Sequence, residues 1–494
     1  MASTTNANSE TEANVHSDIE AHGVHSQLVH SMNEILNSSC SSHKVNHLNG
    51  CIRIIETCEQ SSRQSLLEKD QFVQKLRLVI EAAYVPPFMT RDYFSYERED
   101  FIGYPELSEC VFKYLMPLFN ADYHHLLKIT DGNVDSQFAQ LLLTIIIFIG
   151  AHAKEPHWSS PGCQTMHTKL LQLLLSSTQS DSPCEVLLLK ASYTTENTSK
   201  SCTMLEHVLM QCKQLFQKGQ WQKHPFYVEA FCWIITQVKS PYLSEHIEMT
   251  MITSLNFLED HQETNKIKGI NCIQHLIDNT SGEELRWYNR AEVIYEALKK
   301  QMFNKEPAVV AALFPCLFSI LKVVDKKPDL EYHNSIMITL MQYTILENLL
   351  VIRRLYVNFL NDLIQQIGVA TIQHLKTLVS IVEQFLEIED GEEELSRIGV
   401  LKMLYNIIRI AWPRIPHHTQ KLLKAILKLL VDINSSQYQK FKTNNTQEEL
   451  NELSVKCMKL LLKLSPSMKE ALEALMESEH LTTIRPVLAR VRND

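Results

Sequence analysis

The chain has 494 residues, of which only 12 are glycine, and it carries a formal net charge of −10 with an isoelectric point near 6.1. Sheets and their tight turns rely on residues that tolerate positive φ, so scarce glycine argues against a β-rich fold. The acidic balance gives no general attraction for nucleic acid or anionic membranes. We therefore expect an all-α protein with neither nucleic acid nor membrane as a partner.

Residues 1–45 are rich in Ser, Thr, Asn, Glu and His and poor in aromatics. Such a segment buries too little apolar area to offset its ordering entropy, which predicts a disordered acidic tail with a short helix near residues 26–37. No lysine or arginine precedes Lys44, and no apolar stretch typical of a secretory signal is present. We expect a reducing compartment, the cytoplasm, with the nucleus as a second location.

Beyond the tail, apolar residues recur at helical spacing almost continuously. One stripe steps by three or four residues along one helix face: Ile372, Leu375, Val379, Val382 and Leu386. Helices are predicted over 203–218, 225–239, 242–258, 264–278, 283–302, 306–324, 331–345, 347–367, 371–388, 392–410, 417–433, 447–464 and 467–492. Capping boxes at Ser281–Glu284 and Thr446–Glu449 fit this division. The intervals 191–201 and 434–446 read as surface loops.

Two consecutive helices with their loops occupy about 35–45 residues, a period typical of HEAT and armadillo-like repeats. This period predicts a HEAT/armadillo-like helical-repeat solenoid, with an N-terminal helical region at 46–219 and C-terminal HEAT-like repeats at 220–494. No residue-level repeat signature is visible, so irregular helix packing stays open as an alternative. Stacked helix pairs present long surfaces suited to gripping another polypeptide.

The spacing of glycine and histidine argues against an enzyme. No two glycines lie closer than eight residues, whereas a P-loop, a dinucleotide fingerprint and a nucleophile elbow each need closer pairs. The adjacent pairs His124-His125 and His417-His418 fit one metal poorly, because neighbouring helical positions point about 100° apart. The twelve cysteines lack a Cys-x-x-Cys pair and read as free, mostly buried thiols. We predict no catalytic residue, no cofactor and no metal.

Two polar clusters are candidates for recognition. The acidic run Glu387–Glu394 contains Asp390-Gly391, which predicts an interhelical turn followed by glutamates that favour a helix N-terminus. Trp412 and Arg414 end a predicted helix, and a tryptophan beside a guanidinium is the composition of binding hot spots. Capping and core packing are the alternative interpretations of the two clusters.

Residues 220–415 also contain a series of recognisable motifs. They are Trp221, Pro225, Phe231, Trp233, Gln237-Val238, Pro241, Leu243-Ser244, His246, Glu263–Lys266, Gly269, Cys272, His275, Asn279, Tyr288–Ala291, Val293, Tyr295, Arg353-Arg354, His374–Lys376, Asp390–Glu393 and Trp412–Arg414. This series resembles the Tel-two-interacting protein two family, the smallest subunit of the Triple-T cochaperone complex. The Tyr-Asn-Arg-Ala block is its most specific part.

The resemblance implies a non-catalytic scaffold that binds Tel-two-interacting protein one and, through it, the Tel-two subunit. The resemblance also implies that the scaffold acts together with the ninety-kilodalton heat-shock chaperone to mature and stabilise phosphatidylinositol-3-kinase-related kinases. These kinases include the target-of-rapamycin and DNA-damage checkpoint kinases. A helical-solenoid adaptor for another process, such as nuclear transport, is the alternative. A cryptic enzyme is a third hypothesis.

Within the motifs we select eight candidates for partner contact. They are Asp260, Asn265, Lys266, Tyr288, Asn289, Arg290, Trp412 and Arg414. The alternative for the Tyr-Asn-Arg group is a helix start that fixes the entry of one repeat onto the next. A structural role is equally open for Asp260, Asn265 and Lys266.

Overall fold

The protein is described by a computed structural model. The described residues are 23–88, 96–120, 123, 133–134, 136–195, 198–216, 220–325, 329–435, 444–476 and 483–492. The chain divides into two compact units, Met1–Thr253 and Ser254–Asp494. The boundary predicted between residues 219 and 220 therefore falls inside the first unit. The tail prediction as far as residue 22, and the His124-His125 pair, lie outside the described residues.

The described residues of the first unit form ten complete α-helices, the beginning of an eleventh, and a small sheet. Its α-helices are α1 (23–37), α2 (Ser41–Thr57), α3 (Gln60–Leu67), α4 (Asp70–Glu81), α5 (Tyr104–Leu118), α6 (Ser136–Ala151), α7 (Pro161–Thr178), α8 (Pro183–Leu188), α9 (Met204–Leu215) and α10 (Pro225–Gln237). Short 3-10 helices occupy Arg98–Phe101, Trp221–Lys223 and Tyr242–His246. Helix α5 packs against α2 and α7, while α6 packs against α4 and α10, so alternate helices form two layers.

The short helix predicted near residues 26–37 is confirmed, while the described residues of the tail beyond it are more ordered than predicted. Of residues 23–45, those at 23–37 form α1, and α2 already begins at Ser41. Three α1 side chains, Leu28, Met32 and Ile35, are at most 1% exposed. Their spacing of four and three residues places them on one helix face. Burial of this apolar face contributes favourable free energy to folding, although the segment as a whole is polar in composition.

The interval 191–201, predicted as a loop, belongs to a β-hairpin. Strand β2 (Lys190–Thr195) pairs antiparallel with β3 (Thr198–Thr203), and β1 (Asn133–Val134) pairs parallel with β2. In register, Lys190 lies opposite Thr203 and Thr195 lies opposite Thr198. The run is rich in threonine, a β-branched residue that favours strands, and only two residues separate the paired segments. The hairpin is a local addition between α8 and α9.

The second unit is formed by helices from the end of α11 (Ile247–Leu258) onward. They are α12 (Glu263–Asp278), α13 (Gly282–Arg286), α14 (Arg290–Lys300), α15 (Pro307–Val324), α16 (Glu331–Leu346), α17 (Leu350–Ile367), α18 (Leu375–Glu387), α19 (Leu395–Ile410), α20 (Thr419–Ile433), α21 (Asn444–Leu464), α22 (Ser467–Met476) and α23 (Arg485–Arg492). Short 3-10 helices occupy Trp287–Asn289, Gln301–Phe303, Gly368–His374 and Ile415–His418.

The helices of this unit stack in two layers. Along one layer α12 packs against α15, α15 against α17, α17 against α19 and α19 against α21. In the other, α16 packs against α18 and α18 against α20, while α14, α16, α18 and α20 each pack against the next helix in the chain. The pairs begin at Arg290, Glu331, Leu375 and Thr419, which are 41, 44 and 44 residues apart. The predicted all-α, helical-repeat class is confirmed.

Two boundary predictions concern helix caps. At Ser281 the hydroxyl accepts from the Glu284 amide and the Glu284 carboxylate accepts from the Ser281 amide, so the predicted capping box is confirmed. The box predicted at Thr446 is wrong, because α21 already begins at Asn444 and Thr446 lies inside its first turn.

Helix α15 is the one helix among the described residues with the length and apolar composition needed to cross a membrane. Of that stretch, 56% is buried within the protein. It packs between α12 and α17 in one layer and against α14 in the other. Interior packing in the repeat stack therefore accounts for its composition, as is usual for the core helix of a large helical unit.

Gly269 lies where α12 crosses α11 at close range. A Cβ atom at this position would lie 2.5 Å from the Leu258 amide nitrogen and 2.7 Å from the Ser254 carbonyl oxygen, and both are backbone atoms that cannot rotate away. We expect Gly269→Ala to lower the free energy of unfolding by about 1–3 kcal/mol, although alanine favours the helix itself by about 1 kcal/mol. Urea unfolding followed by circular dichroism measures the change.

Gly50 in α2 provides the matched control. No atom lies within 4 Å of a Cβ built there. We expect Gly50→Ala to stabilise the protein by about 0.5–1 kcal/mol, because only helix propensity changes. An equal gain in both variants would contradict the close approach of α11 and α12.

Candidate interaction surfaces

The turns of the second unit lie along two edges of the helical stack. One edge holds the turns at 259–262, 301–306, 347–349 and 388–394, which we call the ladder edge. The other, which we call the aromatic edge, holds the turn at 279–289, the described residues 325 and 329–330 between α15 and α16, and the turns at 368–374 and 411–418. Helices connected in antiparallel pairs and stacked side by side place alternate turns on opposite edges. The predicted site residues are divided between these two edges.

Side chains on the ladder edge connect each repeat to the next one. Each contact joins a basic residue at the start of one helix to a polar residue in the following repeat. The four contacts are Lys266 Nζ to Gln301 Oε1 at 3.2 Å, Lys305 Nζ to Glu347 Oε2, Arg354 Nε to Asp390 Oδ2 at 3.2 Å, and Arg397 Nη1 to Asp432 Oδ2 at 2.9 Å. The ladder thus sets how successive repeats align.

The carboxylates of the ladder also accept hydrogen bonds from backbone amides at or just before helix starts. Glu347 accepts hydrogen bonds from the amides of Asn348 and Leu349, both at 2.9 Å, directly before α17. Burial raises the pKa of Glu347, but the contact with Lys305 and the two amides outweigh it and hold the pKa below its ordinary value. Asp390 likewise accepts from the Ser396 amide. Each side chain therefore stabilises a turn and a repeat junction together.

Asp260, Asn265 and Lys266 lie at the first turn of the ladder edge. Asp260 is buried and accepts from the His261 amide at 2.8 Å and from the Asn265 side chain at 2.6 Å. Asn265 is also buried, and Lys266 forms the first ladder contact. These hydrogen bonds within the chain agree with the alternative interpretation, in which the three residues have a structural role. As partner contacts the three residues stay a prediction.

Tyr288, Asn289 and Arg290 lie on the aromatic edge, at a break in the helix predicted over 283–302. Tyr288 and Asn289 both adopt left-handed backbone conformations, with φ of 55° and 57°. The break separates α13 from α14 and leaves the Tyr288 ring 87% exposed and the neighbouring Trp287 60% exposed. The Arg290 guanidinium lies 5.3 Å from the centre of the Tyr288 ring, within range of a cation–π interaction.

Trp412 and Arg414 lie in the fourth turn of the same edge. Both are exposed, with 59% of Trp412 accessible, while Ile415 beside them is buried and anchors the turn. Core packing of Trp412, the alternative weighed from the sequence, does not occur. An exposed tryptophan next to an exposed arginine is a composition enriched at protein interfaces.

The aromatic edge carries its exposed apolar residues in a row. Trp287 and Tyr288 occupy the first turn, Val369 the third with 71% exposure, and Trp412 the fourth. Because packed helices lie about 8–10 Å apart, three repeat steps separate the first from the last by about 25–30 Å. The two predicted groups on this edge, Tyr288–Arg290 and Trp412 with Arg414, therefore do not converge on one pocket. A partner that contacts both must extend along the edge.

Trp287 was missed by reasoning from the sequence. Its exposure depends on the left-handed backbone at the next two residues, which apolar periodicity does not reveal. A second missed group lies on the ladder edge: Phe303, Leu346, Leu349, Leu350, Val351, Ile388 and Leu395 are all exposed. The signal available was the run Leu349–Ile352, which continues apolar sequence through a turn.

The described parts of the chain hold no group of three or more His, Cys, Asp or Glu side chains placed to bind a metal ion. His152 is fully buried among Phe112, Phe148 and Phe226, and burial lowers its pKa to about 3. Its imidazole is therefore neutral at physiological pH and packs as a core residue. The twelve cysteines are free thiols.

Comparison with known proteins identifies relatives of the chain. A rat protein is 31% identical over 296 residues, which are 58% of this chain and 56% of the rat protein. A human protein is 29% identical over 297 residues, covering 58% of this chain and 57% of its own length. Both are named TELO2-interacting protein 2.

The chain is similar to TELO2-interacting protein 2. The resemblance found in the sequence motifs is confirmed by these relatives. The chain spans a little more than half the length of the TELO2-interacting protein 2 sequences that it matches. No family model matches the chain. The similarity to TELO2-interacting protein 2 indicates no enzyme family.

Solved structures resemble the chain only distantly. Importin beta, crystallised in an ammonium sulfate condition, is 14% identical with a TM-score of 0.44 and covers 94% of this chain and 57% of its own. Kap121p bound to RanGTP is 11% identical with a TM-score of 0.47 and covers 94% and 45%. At this level neither likeness says anything about function.

Proposed function

We propose that this chain is a non-catalytic scaffold subunit of the Triple-T cochaperone complex. In that role it supports the maturation and stability of phosphatidylinositol-3-kinase-related kinases, together with the ninety-kilodalton heat-shock chaperone. Its direct partners are Tel-two-interacting protein one and, through it, the Tel-two subunit, and it acts in the cytoplasm and the nucleus. The observation that carries the proposal is the similarity to TELO2-interacting protein 2 over 58% of the chain.

The aromatic edge supports this proposal on physical grounds. Exposed aromatic side chains beside guanidinium groups supply large contact area at low entropic cost, which is why such residues dominate binding energy at interfaces. Trp287, Tyr288 and Trp412 have this character and lie on the first and fourth turns of one edge. We assign the contact with the larger sibling subunit to this edge.

The proposal is tested by depleting this protein from cells and then restoring it. Cells lacking the protein are expected to lose the target-of-rapamycin and DNA-damage kinases as proteins while their messages stay constant, since the defect lies in maturation. Rescue with the wild-type chain restores the kinases. Affinity purification of the rescuing chain recovers the two sibling subunits. Normal kinase levels after depletion, or a purified chain without either sibling, would reject the proposal.

The same affinity purification distinguishes the cochaperone role from the main alternative, a transport adaptor. A helical-solenoid transport adaptor would recover a small GTPase or cargo in a manner that depends on guanine nucleotide. That result, without the sibling subunits, would replace the cochaperone role by the adaptor role.

A further inference from the structure

The ladder edge carries an apolar surface that the ladder contacts do not use. Leu346 is 75% exposed, and Leu349 and Val351 are each 55% exposed, all at the turn between α16 and α17. Phe303 on the preceding turn and Leu395 after the following turn are also exposed. Exposed apolar residues grouped in this way mark interaction sites more often than isolated ones do.

The three turns that carry these residues are joined to one another. Lys305 on the first turn pairs with Glu347 on the second. A side chain built on Gly391 in the third turn would meet Leu350 at 3.9 Å, which is ordinary van der Waals contact. Arg354 also reaches from α17 to Asp390 in the third turn. The apolar residues therefore belong to adjoining turns of one edge.

The charge of this edge indicates what covers it. Its basic side chains Lys305, Arg354 and Arg397 are held in ladder contacts with carboxylates. The turns at 301–306, 347–349 and 388–394 carry seven acidic residues, Glu306, Glu347, Glu389, Asp390, Glu392, Glu393 and Glu394, against the basic residues Lys305, Arg353, Arg354 and Arg397 on or beside them. Glu306, Glu389, Glu392 and Glu393 are exposed. Arg354 also pairs with Glu393 at 3.5 Å. The net formal charge of this edge is therefore negative, with most of the acidic residues on the turn at 388–394, and a complementary partner carries positive charge.

We propose that the ladder edge between Phe303 and Leu395 docks a basic amphipathic helix of a partner protein. Leucine-like side chains of that helix would cover Leu346, Leu349 and Val351, while its lysine or arginine side chains would face the exposed glutamates. This surface lies on the edge opposite Trp287 and Trp412, so the second unit holds two partner segments at once. It does not depend on the identity of the complex proposed above.

The test uses two synthetic helical peptides about 18 residues long, one built from leucine and lysine and the other from leucine and glutamate in the same positions. Fluorescence anisotropy with the full-length chain is expected to give at least about tenfold tighter binding of the lysine peptide, weakened by added salt. Equal affinity for the two peptides, or tighter binding of the glutamate peptide, overturns the proposal.

Variants locate the binding site. Leu349→Asp is expected to weaken the lysine peptide about tenfold or more, because the loss of apolar contact outweighs the attraction of the added carboxylate. It also keeps the fold, because Leu349 is the N-cap residue of α17 and aspartate is favoured there. Glu306→Lys combined with Glu392→Lys is expected to weaken the lysine peptide and to reduce its salt dependence.

Val369→Asp is the matched control, since Val369 is also exposed, at 71% against 55% for Leu349, but lies on the aromatic edge. Thermal melts establish that each variant is folded. Binding that survives Leu349→Asp, or that is lost in Val369→Asp, overturns the assignment. Sedimentation velocity tests whether a second copy of the chain occupies this surface instead. If the chain is a dimer and Leu349→Asp converts it to a monomer, the second copy and not a basic helix is the occupant.

Discussion

Arg397→Ala is expected to lower the free energy of unfolding by about 3–5 kcal/mol, the usual cost of removing one partner of a buried ion pair. The Arg397 side chain is 2% exposed, and its guanidinium lies 3.2 Å from Glu394, which is fully buried, and 2.9 Å from Asp432. Without the arginine, the buried Glu394 carboxylate loses the cation that lies 3.2 Å from it. Urea unfolding followed by circular dichroism measures the loss.

Lys402→Ala is the control for the arginine variant. Lys402 pairs with Glu449 at 2.9 Å, but both side chains are about half exposed. Solvent screens such a pair, so we expect a change of about 0–1 kcal/mol. If Arg397→Ala behaved like Lys402→Ala, the contact between α19 and α20 would not depend on this charge.

Trp412→Ala and Trp287→Ala are each expected to weaken binding of the sibling subunits by about 2 kcal/mol, or about thirtyfold in Kd. Each indole is more than half exposed in the free chain, so truncation removes contact area from an interface without opening a cavity in the core. Surface plasmon resonance with the purified pair of Tel-two-interacting protein one and the Tel-two subunit measures the change.

Tyr242→Ala gives the comparison for the two tryptophan variants. Tyr242 is an exposed aromatic residue of the first unit, whereas the residues of the aromatic edge belong to the second unit. We expect it to bind like the wild type. Unchanged binding by both tryptophan variants would contradict the role assigned to the aromatic edge and would leave the similarity to TELO2-interacting protein 2 untouched.

Much of the helical architecture could be predicted, because apolar spacing reports which helix face is buried. The prediction of 306–324 matches α15 at Pro307–Val324, and 331–345 matches α16 at Glu331–Leu346. The stripe through Leu375, Val379, Val382 and Leu386 is buried in α18. In these cases local periodicity and tertiary packing agree.

The predictions failed where the backbone itself departs from regular geometry. The segment 283–302 reads as one helix, but the left-handed residues Tyr288 and Asn289 divide it. Within the segment 467–492, the described residues form two helices, α22 at Ser467–Met476 and α23 at Arg485–Arg492. Side-chain hydrophobicity carries no information on φ, so a break at non-glycine residues leaves no trace in the pattern.

The candidate sites could be predicted only in part. Tyr288, Arg290, Trp412 and Arg414 were selected for their residue types, and the structure places all four on the aromatic edge. Their shared edge follows from the pairing of helices and is not visible in any one motif. The ladder is hidden for a similar reason, since its partners Arg354 and Asp390 lie 36 residues apart and meet only when the repeats stack.

The two edges of the second unit are held together by different kinds of contact. Charged cross-links brace its repeats along one margin, whereas the opposite margin shows aromatic rings to solvent. Contacts with neutral acceptors join successive turns on the aromatic edge, where Arg286 donates to the Val323 carbonyl at 3.1 Å and Gln373 donates to Asn334 at 2.6 Å. Because salt screens exposed ion pairs more than hydrogen bonds to neutral acceptors, we expect ionic strength to weaken the repeat junctions at the ladder edge more than those at the aromatic edge.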